Sequence, residues 1–184
     1  MMRRAFVAGA AVLALVALAV GSFALTRDEK PALTRAQYEA WESAMLPELQ
    51  AGGRTVEQGM KAAIDDLQNR HVVPPATIAT EADAWVESLT ATKGRVAAVV
   101  TPDVLKPAQR DFLAALDGYV AAAREFKKAA LAPEGAARQT LVENGIRHGE
   151  AADDIYDRGG FLVQDVRRSV GLPESDNFPR RSVE

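Results

Sequence analysis

Residues 78–99 read IATEADAWVESLTATKGRVAAV, and residues 112–130 read FLAALDGYVAAAREFKKAA. In the first stretch Ile78, Ala82, Trp85, Leu89, Thr92, Val96 and Val99 step by four and three in turn. In the second, Phe112, Leu116, Tyr119, Ala123, Phe126 and Ala130 do the same. A mean step of about 3.5 residues keeps these side chains on one edge of an α-helix, the seam of a helical bundle. A strand would alternate with a period of two, and the chain shows no such alternation. Thr101-Pro102-Asp103 and Pro107 supply a turn and a helix start between the two stretches. A connection this short predicts that the two helices pack antiparallel.

The pattern extends outward on both sides. Thr34-x-x-Gln37 reads as a capping box, followed by Tyr38, Trp41, Met45 and Leu49 at helical spacing. Pro47 is expected to kink or split this helix, and Gly52-Gly53 to end it. Thr55-x-x-Gln58 reads as a second capping box, opening a short helix through Val56, Met60, Ile64 and Leu67. Pro74-Pro75 follow as a stiff connector. On the far side Pro133 separates the third helix from the last. The last carries Leu141, Gly145, His148, Ala152, Ile155, Gly159, Leu162, Val166 and Val170 as its expected stripe, with continuity in question at Gly159-Gly160. Gly171 and Pro173 form a stop, and residues 173–184 are expected to be a flexible tail. The fold class is therefore all-α: an antiparallel bundle of about four main helices over residues 34–172.

Ahead of the bundle, Met1 to Arg4 is short and basic, and Ala5 to Leu25 is apolar apart from Ser22. That length suits either a helix that crosses a bilayer or a signal peptide. Ser22-Phe23-Ala24 offers small residues where a signal peptidase reads, with cleavage after Ala24. Residues 1–25 are read as signal peptide or signal anchor, and residues 26–33 as linker. Arg3 and Arg4 hold the N-terminus inside, so the bundle is expected on the outer side of the membrane, anchored or released. Arg3-Arg4-Ala5-Phe6-Val7 also resembles the core of a twin-arginine signal, although Met2 stands where a Ser or Thr is usual.

Composition narrows the chemistry. The 184 residues are 48% hydrophobic and 26% charged, as in a chain that folds. Without Arg3 and Arg4, 20 basic residues face 25 acidic ones, a balance of −5. That argues against nucleic acid as a partner, which needs a basic face. There is no cysteine, which excludes disulfides, thiolate metal sites, c-type haem attachment and cysteine catalysis. No Gly-x-Ser-x-Gly elbow and no phosphate-binding glycine loop occurs.

Asp153-Asp154-x-x-Asp157 is the sharpest motif in the chain. Over five residues it resembles the Asp-Asp-x-x-Asp box of isoprenoid synthases, in which helix-borne carboxylates hold Mg²⁺ on a diphosphate. That resemblance implies a hard-cation site. Helix geometry points the other way. With Ile155 on the seam, Asp153 and Asp157 fall on the outer face, and Asp154 is placed to pair with Arg158. Asp65-Asp66 is a lone acidic pair and supplies no matching second box. His148 falls on the stripe, where it reads as a partly buried, hydrogen-bonded core histidine. A haem held by His148 and a methionine such as Met45 or Met60 is the alternative. His71 lies in a connector. Trp41, Trp85, Tyr119 and Phe126 read as core aromatics, with an interhelical ligand pocket as the alternative. Arg167-Arg168 and Arg180-Arg181 read as solvated basic pairs.

The expectation is a non-catalytic module that binds or scaffolds a protein partner in the cell envelope, with no cofactor. Two alternatives stand beside it. One is a metal- or haem-binding bundle or enzyme built on Asp153, Asp154 and Asp157 or on His148. The other is an extracytoplasmic ligand-binding or sensory bundle that acts through a partner, since the chain shows no second membrane segment and no cytoplasmic output domain.

Overall fold

A computed structural model describes residues 33–70 and 72–179. The signal or anchor segment, the linker up to residue 32, His71 and Arg180-Arg181 lie outside the described residues. Every regular element described is helical. The first rod begins with α1 (Arg35–Arg54), passes through a π-helical turn (Thr55–Met60) into α2 (Lys61–Asp65), and ends in a second π-helical turn (Asp66–Arg70). Three long helices follow: α3 (Pro75–Ala98), α4 (Lys106–Leu131) and α5 (Ala136–Ser169). A single 3-10 turn, Asp103–Leu105, leads into α4. No described helix is long and apolar enough to cross a membrane.

Cross-helix pairs fix the directions. Trp41 Nε1 donates to Thr101 at 3.2 Å, Arg95 bonds Glu48, and Thr55 meets Ser88 at 3.0 Å. Residue numbers rise on the first rod as they fall on α3, so the two run antiparallel. Lys93–Asp117 and Lys127–Asp83 give the same result for α3 and α4. Arg158–Asp111 and Tyr119–Asp153 do so for α4 and α5. Two side chains tie off the connections: Gln109 donates to the Val96 and Val99 carbonyls, and Arg138 to the Ala132 carbonyl.

The stripes of α3 and α4 bury as their spacing requires. All six α4 positions are in the core, as are six of the seven expected from 78 to 99, with Val99 partly covered. The Thr34–Gln37 capping box is formed in both directions.

The first rod departs from expectation. It does not stop at Gly52-Gly53, and Thr55 is an interior helical residue rather than a cap. The reason is tertiary. A Cβ on Gly52 would lie 3.2 Å from Leu116, and one on Gly59 would lie 2.5 Å from the Trp85 indole nitrogen. These glycines admit neighbours rather than turn the chain. Pro47 stays inside α1 because it lies on the exposed face, where the Ser43 carbonyl it leaves without an amide donor is open to water. Similarly, α5 runs unbroken for 34 residues through Gly159-Gly160, which sit beneath Phe112 and Pro179.

The segment after Gly171 is not a loose tail over its described part. Leu172 and Phe178 are buried. Gln164, itself buried, donates to the Ser175 and Phe178 carbonyls and accepts from the Ser175 amide. The Phe178 ring stacks on Phe112 at 6.4 Å.

Candidate functional site

The stripe of α5 is rotated from its expected position. Gly145, Ala152, Gly159 and Val166 are buried as expected. Val142 and Val163 join them in the core, with Gly149 and Tyr156 half-buried; Leu141, Ile155 and Leu162 are partly buried at the edge of the core, and His148 is exposed. Moving half of a heptad seam by one residue turns the helix by roughly 50°. His148 turns outward and is exposed, so it does not act as a core histidine. Met45 and Met60 are buried on the first rod, and the three side chains share no interior face. The same rotation brings Tyr156 and Asp153 towards the first rod.

There they meet a cavity of about 190 Å³, open to solvent on one side and bordered by α1, the π-helical turn, α4 and α5. Leu49, Val56, Phe112 and Leu116 form its apolar walls; Gly52 lets Leu116 come close, and Gly53 has open space where a side chain would begin. Tyr119 and Tyr156 line it from α4 and α5, with Asp153 and Glu57 as its charged residues. π-helical turns widen a helix locally and occur often at functional sites. Here the turn presents Val56 and Glu57 to the cavity.

The polar groups are arranged in order. The Tyr119 hydroxyl donates to Asp153 Oδ1 at 2.5 Å. Burial first, and then this carboxylate, raise the Tyr119 hydroxyl far above the usual phenol range. Burial, with Asp157 adding to it, also pushes Tyr156 upward. Phe112 and Tyr156 are tilted against each other with ring centres 5.2 Å apart. Asp157 is raised by burial and by its neighbours Asp153 and Asp154. Lys61 sits outside, paired with Glu57 at 2.5 Å, and that hydrogen bond raises it, with Asp153 adding a smaller pull.

The aspartate motif thus divides. Asp153 is exposed at its edge yet lines the cavity, a position that an outward-facing reading missed. Asp154 is exposed and does not take Arg158, which instead forks onto Asp111 at 2.7 and 2.8 Å. Among the described residues no three His, Asp or Glu side chains converge as a metal site requires. Asp66 is buried and accepts the Val72 and Val73 amides, closing the turn after the first rod. Of the aromatics singled out in the sequence, Trp41, Trp85 and Phe126 are core, and Tyr119 is both core and cavity wall. Arg167 is not a solvated end. Its side chain is 15% exposed, lies over the Tyr38 ring and pairs with Glu42 at 2.5 Å.

Sequence reasoning missed Glu57, Tyr156, Gly52 and Gly53 as parts of one site. Tyr156 was visible as the alternative seam partner to Ile155, one residue along. The glycine pair carried no local sign that it lies along a cavity rather than at the end of a helix. The chain matches no known family model, no curated protein and no solved structure.

Proposed function

We propose that this chain is an exported, non-catalytic binding module whose bundle takes a small ligand into the cavity between the first rod, α4 and α5. The cavity carries this reading. It is larger than the roughly 150 Å³ apolar cavity that suffices to bind benzene, and smaller than the roughly 300 Å³ at which drug-sized pockets begin. Its walls are mostly apolar, with few polar groups at fixed positions, the usual make-up of a binding pocket. Residues 5–25 support delivery to the outer side of the membrane, where the module would pass its occupancy to a protein partner in the envelope.

Two measurements test this. A C-terminal alkaline phosphatase fusion should be active in cells, and a cytosolic reporter outcome would remove the export reading. Phenol titrated into the bundle should shift the ring resonances of Tyr119 and Tyr156. Gly53→Leu should weaken those shifts, because Gly53 lines the cavity and a Cβ there meets nothing within 4 Å, leaving room for a side chain at the cavity's edge. Shifts that persist unchanged in Gly53→Leu would place the binding elsewhere.

A further inference from the structure

The chemistry of the cavity wall selects among small ligands. Phe112, Tyr119 and Tyr156 contribute three aromatic rings from two helices. The faces of such rings carry partial negative charge and attract organic cations within about 6 Å of the ring centre. Asp153 and Glu57 add carboxylates at the same cavity. Asp157 lies on the same face of α5 as Asp153, four residues along, and Asp154 is beside it. Lys61 is the cation paired at this rim, and its partner is Glu57, on the rod opposite Asp153. Anionic ligands would meet this set of carboxylates, and a strongly hydrated metal ion would meet walls that offer mostly carbon. A cation with an apolar exterior satisfies both the rings and the carboxylates.

Building on the ligand-binding reading above, we infer that the cavity is a site for a small organic ammonium, its methylated or alkyl head against Tyr119 and Tyr156, with Phe112 behind them, and its charge facing Asp153. The hydrogen bond from Tyr119 holds Asp153 in place before the ligand arrives, so little ordering is left for binding to accomplish. Glu57 on the π-helical turn faces the same space and adds to the field.

Choline and its neutral carbon analogue 3,3-dimethylbutan-1-ol have nearly the same shape and differ in charge, which separates the two claims. Calorimetric titration of the full bundle should give choline a dissociation constant at least about tenfold lower than that of the alcohol. Asp153→Asn, which keeps an acceptor for Tyr119, should weaken choline by about tenfold and leave the alcohol unchanged. Glu57→Gln provides a second variant at an exposed position, with a smaller loss in the same direction. If the alcohol binds as tightly as choline, or if choline is indifferent to both substitutions, the ammonium inference is overturned while the cavity remains a ligand site. If neither compound binds and phenol also fails, the ligand-binding reading falls with it.

Discussion

Gly145 is pressed against Phe126 so closely that a Cβ would lie 2.4 Å from the ring. Gly149, one turn along the same helix, has open space at that position. The two substitutions to alanine therefore separate helix propensity from packing. Gly149→Ala should be neutral or stabilise by up to about 1 kcal/mol. Gly145→Ala should destabilise by about 1–3 kcal/mol, because Phe126 is fully enclosed and must move. Urea midpoints measured side by side check this, and equal shifts would contradict the close approach of α4 and α5. The tyrosines give a second test at this scale. The chain has three, and all are raised, Tyr38 to about 12, chiefly by burial. A phenol whose ionisation in the folded state lies above its unfolded value of 10.0 favours folding below that pH. The contribution is then lost as pH rises towards 12. Absorbance at the phenolate band should rise at higher pH than it does for free tyrosine, with the last part of the rise coming together with unfolding. Smooth ionisation centred on the free-tyrosine value would contradict the upward shift of all three.

At the scale of elements, each helix was readable to the degree that its apolar residues were large and its breakers were few. α3 and α4 follow their stripes because Ile78, Trp85, Leu89, Phe112 and Phe126 leave only one face to bury. In α5 the apolar residues are spread over two adjacent stripes, and four of the seam positions are glycine or alanine. Small residues bury on whichever side a neighbour comes closest, so α4 sets the rotation that places Tyr156 inward and His148 outward. The first rod could not be read through Gly52-Gly53 for the same reason. A local pattern records that a residue lacks a side chain, and it does not record whether another helix fills the space. The end of α5 carries a prediction of its own. Arg167 holds Glu42 in a pair of which neither side chain is more than 17% exposed, while Arg168 is 55% exposed and its partners Asp165 and Glu174 are 40% and 37% exposed. Arg167→Ala should cost about 2–3 kcal/mol, since it strands the Glu42 carboxylate beside Tyr38. Arg168→Ala should stay within about 0.5 kcal/mol. Thermal melts of the two variants check the difference.

Over the whole molecule, the bundle is closed by a segment whose polar composition gave no hint of it. Phe178 lies 3% exposed against Phe112, and Gln164 is buried among the backbone groups of residues 175–178. Phe178→Ala should destabilise the bundle by about 3–4 kcal/mol by opening a void beside Phe112. Phe112 also walls the cavity, so the docked segment supports the candidate site from behind. Denaturant unfolding of the variant measures this, and an unchanged midpoint would mean that the segment contributes no packing.

The sequence by itself determined the helical class, the seams of α3 and α4, the capping box at Thr34 and the stops at Pro133 and Gly171. Each of these depends on neighbours within a few residues, where spacing and side-chain size act directly on the backbone. Tertiary structure alone decided the rotation of α5, the passage of the first rod through its glycines, the docking of Phe178 and the assembly of the cavity. Those depend on how near one helix can come to another. That distance is set jointly by residues far apart in the chain, so no single stretch of sequence contains it.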